Sequence, residues 1–236
     1  MFKYISFLSF TAFLLSCSSS RFVEPLAKKE NALSIDLGGP LVNVPGVATM
    51  PLPFSSLTYG RGLTNNTTVY TSWHTTAAVF GVAQFDFGLV HEVWRNSRRN
   101  MGITFNPSIN FATDVFEKNN KLWPVVEANY YWKYKMKGVT QADLLTNKSV
   151  RYNYFYGGLG TWFELNGTKA HGEDQKERVL PMVQIGHVFR RGKWSFSTEV
   201  KFITPNISNE NIVLDYKSIS GNSGATGIYL GLVKRF

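Results

Sequence analysis

Apolar and polar side chains alternate with a period of two along most of this 236-residue chain. In the segment VEANYYWKY, residues 126–134, every second side chain from Val126 onward is apolar or aromatic, and the side chains between them include Glu127, Asn129 and Lys133. Successive side chains of a β-strand point to opposite faces, so this period indicates strands with one apolar and one polar face. After Asn31 almost no apolar residues recur at helical spacing, and the sequence therefore predicts an all-β protein.

We predict ten strands from this pattern. They start near Ala32, Phe54, Thr67, Val82, Met101, Trp123, Arg151, Leu180, Lys193 and Thr226. Tight polar turns alternate with longer connections at residues 39–53, 166–178 and 204–225, as is typical of outer-membrane barrels. The predicted fold is an antiparallel up-and-down transmembrane β-barrel of about 8–10 strands over residues 32–236. Residues 135–149 depart from the pattern, because this long segment falls on the short-turn side.

A soluble β-barrel shows the same alternation, so the composition of the two faces has to separate the two possibilities. Ionisable residues lie in the middle of the polar face, namely Asp86, Glu127, Lys133, Glu199 and Lys201. In a soluble barrel the opposite face, rich in Phe, Tyr and Trp, would crowd one small interior. In a membrane barrel lipid accepts the aromatic side chains, and these charges form a network across a polar lumen.

Tryptophan and tyrosine cluster near several predicted strand ends. The clusters are Trp94, Trp123, Tyr130–Trp132, Tyr152–Tyr156 and Trp194. Each one, taken singly, is compatible with ordinary core packing. Together with the polar faces, they are expected to form the aromatic girdles found where membrane barrels meet the lipid headgroups.

Residues 1–16 have the organisation of an export signal. Lys3 precedes an apolar stretch from Tyr4 to Leu15 that is too short to anchor a helix across a bilayer. The following residues, Leu14-Leu15-Ser16-Cys17, resemble the lipobox of bacterial lipoproteins. This resemblance implies cleavage by the lipoprotein-processing machinery, palmitate-type acylation of Cys17 and a lipidated tether over residues 17–31. The alternatives for this single cysteine are a small buried hydrophobic residue and a chance free thiol.

The carboxy-terminal segment GIYLGLVKRF, residues 227–236, is an alternating strand that ends in an aromatic residue. It resembles the last strand of outer-membrane barrel proteins, with Lys234 as a departure from the usual apolar residue. The resemblance implies that Phe236 belongs to the signal read by the barrel assembly machinery. It also implies location in the outer membrane, as an integral barrel anchored in addition through Cys17.

Motifs for catalysis or cofactor binding are lacking in this sequence, and we expect no cofactor and no metal. Ser72 and His74 share one strand face and are the catalytic candidates, since a carboxylate across the lumen would complete a lipid A or phospholipid hydrolase. A hydrogen-bonded lumen network is the alternative and the favoured interpretation. The formal net charge of +9 suits anionic partners such as outer-membrane lipids and lipopolysaccharide, and export argues against nucleic acid.

Basic residues concentrate in the predicted short turns, where they either meet anionic headgroups or form ordinary solvated turns. They are Arg95, Arg98, Arg99, Arg190, Arg191 and Lys193. The sequence favours a non-enzymatic envelope protein with a structural, binding or narrow-conduit role, whose long loops contact a protein partner of unknown identity. The alternatives are the outer-membrane lipid hydrolase and a periplasmic lipid-binding barrel tethered by its lipid.

Overall fold

A computed structural model describes residues 18–46, 48–98, 100–116, 119–134, 150–166, 176–209 and 215–236. Within these ranges lie eleven strands: β1 Asn31–Val44, β2 Ala48–Pro51, β3 Ser55–Gly62, β4 Thr67–His74, β5 Val82–Asn96, β6 Met101–Asp114, β7 Asn120–Tyr134, β8 Arg151–Phe163, β9 Val179–Arg191, β10 Trp194–Ser208 and β11 Ser223–Arg235. One short helix, α1 Thr75–Val79, follows β4. No helix in the described ranges is long and apolar enough to cross a membrane.

The strands form one closed antiparallel barrel. Each barrel strand pairs with the next one along the chain, and β11 pairs with β1 from Ala32↔Arg235 to Pro40↔Gly227, which closes the sheet. The short strand β2 pairs only with the last residues of β1. In the described part of the chain the barrel therefore has ten strands, which confirms the predicted fold class.

The connections fall into two sets at opposite ends of the barrel. The end that holds the start of β1 and the end of β11, here called the terminal end, has short turns at residues 63–66, 97–100 and 192–193. The other end, called the loop end, has connections at residues 45–54, 75–81, 115–119, 164–178 and 209–222. Segment 135–149 lies outside the described residues.

Two of the three long loops are shorter than predicted. The predicted loop 39–53 begins inside β1, which continues to Val44 and forms a hairpin with β2. The predicted loop 204–225 is shortened because β10 reaches Ser208, where a register shift lets it pair with Ser223 of β11. Backbone hydrogen bonding thus continues beyond the point at which the side-chain alternation weakens.

The outer face of the barrel is an apolar band. Its exposed side chains include Leu33, Ile35, Leu37, Leu57, Tyr59, Trp73, Phe87, Ile103, Phe105, Ile109, Tyr130, Trp132, Phe155, Leu159, Val183, Ile185, Phe189, Trp194, Phe196, Ile228, Leu230 and Leu232. Soluble monomers do not expose a continuous apolar surface of this size. The charged side chains in the middle of the same strands are buried on the inside, so the barrel is built to stand in lipid.

Part of the predicted aromatic girdle lies on the wrong side of the wall. Trp94, Tyr130, Trp132 and Trp194 are exposed on the outer face, as expected. Five other girdle candidates are buried inside: Trp123, Tyr131, Tyr152, Tyr154 and Tyr156. The tyrosines of β8 are spaced by two and share the inward face, where the barrel interior supplies partners for their hydroxyl groups.

Three inward tyrosines pack over a glycine directly opposite on the neighbouring strand. The register pairs Tyr70 with Gly88, Tyr131 with Gly102, and Tyr156 with Gly186. A Cβ atom at Gly186 would lie 2.3 Å from Tyr156 Cζ, so only glycine leaves room for the ring. These pairs fill the barrel interior and let the strands curve around it.

Candidate functional site: the plugged lumen

Residues 18–30 precede β1 and are here called the plug; they lie inside the barrel except for Lys28 and Lys29, whose side chains are exposed at the terminal end. The backbone N–H of Lys29 donates to the Gly62 carbonyl at the terminal end (2.8 Å), and the Leu26 N–H donates to Thr68 Oγ1 (2.7 Å). Further inside, the Ser19 hydroxyl donates to Asp36 Oδ1 (2.7 Å). Residues 17–31 were expected to form a tether, but the plug fills the lumen, because its charges match those of the wall.

Arg21 is the central contact of the plug. Its Nη1 atom donates to Asp36 Oδ2 and to Ser56 Oγ, both at 2.9 Å, and its Nη2 atom lies 3.3 Å from Asp86 Oδ2. All three charged side chains are buried. Burial disfavours the charged guanidinium, but the two carboxylates outweigh it and raise the pKa of Arg21 above its ordinary value.

Glu24 makes the second set of plug contacts, on the opposite side of the lumen. Its carboxylate accepts hydrogen bonds from Lys133 and from the Tyr152 hydroxyl, and Arg190 Nη1 lies 3.8 Å away. Burial alone would raise the pKa of this carboxyl, but the charges of Lys133 and Arg190 and the hydrogen bonds hold it at about 2. Glu24 is therefore ionised at neutral pH.

The predicted lumen charges lie inside the barrel and fall into three groups. Lys201 donates to Glu127 (2.7 Å) and lies 3.7 Å from Glu199, which also accepts from the Tyr156 hydroxyl (2.7 Å). Asp86 belongs to the Arg21 group and Lys133 to the Glu24 group. Each group thus places opposite charges in contact, as buried ionised groups require.

The plug residues were missed by the sequence analysis. Arg21, Glu24 and Glu30 stand in the sequence RFVEPLAKKE, which resembles an ordinary solvated linker. Arg190 was expected in a short turn near headgroups, but it lies in β9 with its side chain buried in the lumen beside Glu24. The wall residue Arg235 was missed: it donates to Ser195 (2.6 Å) and lies 3.8 Å from Glu30. An excess of mid-strand charges on the polar face was the available signal, because such charges need partners from somewhere.

The catalytic candidates lie beside the plug. His74 Nε2 is 2.9 Å from Asp86 Oδ2, so the histidine and a carboxylate do meet. The Ser72 hydroxyl bonds instead to Thr58 Oγ1 (2.8 Å) on the neighbouring strand. Arg21 occupies the same Asp86 oxygen as His74. This arrangement is that of a hydrogen-bonded network and does not pair a nucleophile with its base.

A second layer closes the lumen toward the loop end. It is a buried apolar cluster formed by Val42, Val82, Ala112, Trp123, Trp162, Met182, Ile203, Tyr216, Ala225 and Tyr229. A cavity of about 40 Å³ separates it from the plug, and Ser18, Asp86, Asn106 and Trp162 are among its lining residues. Among the described residues, the Asn106 side-chain amide and Asp86 Oδ1 have no hydrogen-bond partner, and the space suits a few ordered waters.

Two predicted sites concern the chain ends. Cys17 lies outside the described residues. Phe236 is half exposed and exchanges two backbone hydrogen bonds with Asn31, of 2.9 and 3.1 Å, where β11 meets β1. Among the described residues, no group of three or more His, Cys, Asp or Glu side chains is placed to hold a metal ion.

No family model and no curated protein sequence matches this chain. Among solved structures, LpxR from Salmonella typhimurium is 8% identical, covers 87% of this chain and 99% of its own, and has a TM-score of 0.42. The NanC porin is 7% identical, with coverages of 86% and 98% and a TM-score of 0.39. The translocator domain of autotransporter NalP from Neisseria meningitidis is 8% identical, with coverages of 91% and 91% and a TM-score of 0.39. Likenesses this distant carry nothing about activity.

Proposed function

We propose that the protein is an integral outer-membrane barrel with a structural or binding role in the cell envelope, and that its lumen is closed. The observation that carries this proposal is the double filling of the barrel by the plug and the apolar cluster. Lipid is the solvent that the exposed outer face fits. Among the described connections, those at the loop end are longer than the turns at the terminal end, and these loops are a surface available to a partner.

The narrow-conduit role is disfavoured. Ions would have to pass both the buried Arg21–Asp36 pair and the apolar cluster around Trp123 and Trp162. An apolar constriction blocks ions by excluding water, and a buried ion pair is displaced only at a large cost. Binding at the loops requires no passage through the lumen.

Two measurements test the closed membrane barrel. Purified protein in mild detergent is compared on gels with and without boiling, after separation of inner and outer membranes; a mobility shift in the outer-membrane fraction is expected. Planar-bilayer recording at several voltages is expected to show no channel events. Discrete conductance steps would refute the closed lumen, and a protein that stays monomeric without detergent would refute the membrane barrel.

The lipid-hydrolase alternative has less support. A serine nucleophile needs a base within hydrogen-bond reach, and Ser72 bonds to Thr58 while His74 faces Asp86 and Arg21. The tethered periplasmic lipid binder has less support again, because such a barrel would keep its apolar face inside and its charges outside.

Acylation of Cys17 is a separate proposal, and the plug places a condition on it. Ser18, the next residue, lines the cavity between plug and apolar cluster. Acyl chains gain their binding energy in the bilayer, and one residue of chain spans at most about 3.6 Å. We therefore propose that acylation and the inserted plug exclude each other. The intact mass of protein extracted from membranes with its plug inserted is expected to equal that of the unacylated chain. A mass that includes the acyl groups, measured on protein whose plug is inserted, would refute this.

A further inference from the structure

Five exposed cations form an arc around the terminal end of the barrel. They are Arg61 on β3, Lys234 on β11, Lys193 in the β9–β10 turn, Arg191 on β9 and Arg151 on β8. Strands β8, β9, β10, β11, β1 and β3 are consecutive neighbours in the sheet, so the five side chains occupy one side of the rim. We call this set the basic arc.

Three members of the basic arc continue apolar columns of the outer face. Arg61 lies two residues beyond Tyr59, Arg191 two beyond Phe189, and Lys234 two beyond Leu232, and each preceding side chain is exposed. Two residues advance a strand by about 7 Å and return to the same face. The cations therefore lie at the edge of the apolar band, where a bilayer presents its headgroups.

In the part of this rim that the structure describes, the positive charge is not offset by exposed acids. The carboxylates of Glu24, Glu30 and Glu92 at this end are buried inside the barrel. In the described residues of the terminal end no Asp or Glu side chain is exposed, whereas Lys28, Lys29 and Arg98 add further exposed cations. Exposed Arg95 is paired with buried Glu92. At the loop end, by contrast, exposed Lys217 pairs with exposed Asp215 at 2.9 Å.

Aromatic side chains flank the arc on the lipid side. Lys234 Nζ lies 5.4 Å from the centre of the Trp194 ring, and Phe189 and Phe196 stack with centroids 6.4 Å apart on adjoining strands. Trp and Tyr favour the headgroup level, and cations beside them are placed to meet phosphates. The surface thus joins a cationic edge to an apolar wall.

We propose that the basic arc binds the anionic headgroup of a diacyl phospholipid, with the acyl chains lying along Phe189, Phe196 and Leu232. The phosphate lies between Lys234 and its neighbours in the arc. This lipid differs from a zwitterionic one because its headgroup has no cation to offset the negative charge of the phosphate. The inference rests on the membrane barrel proposed above and names a partner for one defined part of its rim.

The test uses the full protein in detergent and native mass spectrometry with two lipids of identical chains, phosphatidylglycerol and phosphatidylcholine. The protein is expected to retain phosphatidylglycerol at least fivefold more than phosphatidylcholine. Lys193→Gln/Lys234→Gln is expected to abolish this preference. The matched control, Lys176→Gln/Lys217→Gln at the loop end, removes the same charge and is expected to preserve it.

Equal retention of both lipids, or equal loss in both variants, would overturn the proposal. Preferential retention of lipopolysaccharide or of an acidic periplasmic protein at the arc would also overturn it. Gel mobility with and without boiling is recorded for each variant. This measurement shows whether the membrane barrel has folded, independently of whether the lipid is retained. If the double variant does not fold, Lys234→Gln alone is expected to lower the preference at least twofold, and an unchanged preference would refute the assignment.

Discussion

Arg21 Nη1 lies 2.9 Å from Asp36 Oδ2, and this ion pair joins a segment that precedes the barrel to the wall of its first strand. Both side chains are more than nine-tenths buried. Neither charge could be left in the lumen without the other, because an unpaired buried charge is far more costly than a paired one. The pair makes the plug part of the folded barrel.

Replacing Arg21 with methionine is expected to destabilise the barrel strongly. Asp36 would lose its ion pair and Asp86 its guanidinium, and breaking a buried pair costs about 3–5 kcal/mol. Urea unfolding in detergent, followed by intrinsic fluorescence, measures the change. Lys176→Met, an exposed position, is the control and is expected to shift stability by less than about 0.5 kcal/mol. Similar shifts for both variants would contradict the plug contacts.

Glu24 makes stability depend on pH. Its pKa is held at about 2 in the folded protein and lies near 4.5 in the unfolded chain. A depressed folded-state pKa contributes stability that is present above pH 4.5 and is lost as the pH falls toward 2. The unfolding midpoint of the wild type should therefore fall across this window more steeply than that of Glu24→Gln. Parallel pH profiles for the two proteins would show that Glu24 is not ionised in the lumen.

Gly186→Ala is expected to destabilise the barrel because the new methyl group would meet the buried Tyr156 ring at 2.3 Å. Overpacking of this kind costs about 1–3 kcal/mol. Gly157→Ala is the matched control on the adjoining strand, where the nearest atom would be 3.7 Å from the added Cβ. Boiling-dependent gel mobility at increasing temperature measures both variants. Equal melting temperatures would mean that the tyrosine ring does not cover Gly186.

Ser72→Ala and His74→Ala are expected to leave lipid A and phospholipid profiles unchanged. Loss of the His74 hydrogen bond to buried Asp86 is expected to cost about 1–3 kcal/mol, and loss of the Ser72–Thr58 bond about 1 kcal/mol. Mass spectrometry of membrane lipids and urea unfolding measure the two effects. A changed lipid profile with normal stability in either variant would restore the hydrolase interpretation.

The number and position of the strands were predictable because they depend on local alternation. The largest differences between predicted and observed starts are Trp123 against Asn120 and Thr226 against Ser223. Strand ends were less predictable: β1 and β10 continue past the alternating segment because cross-strand hydrogen bonds hold residues whose side chains carry no pattern.

Face assignment from sequence succeeded for the mid-strand acids and lysines and failed for several tyrosines. A mid-strand Glu or Lys belongs in the lumen wherever it occurs, since lipid excludes it. A tyrosine is acceptable on either side of the wall, so its place depends on strand parity and on a partner for its hydroxyl group. Tyr152 and Tyr156 face inward and donate to Glu24 and Glu199, contacts that connect distant parts of the chain.

An antiparallel barrel with an apolar exterior and a charged interior follows from the sequence, because alternation and the solvation of charge are local properties of each strand. What fills that interior depends on contacts between distant segments. Arg21 and Glu24 lie in a segment with the composition of a linker, and they become a plug because Asp36, Asp86, Lys133 and Arg190 meet them from four different strands. This match of opposite charges between plug and wall forms when the barrel closes, and no single segment of the sequence predicts it.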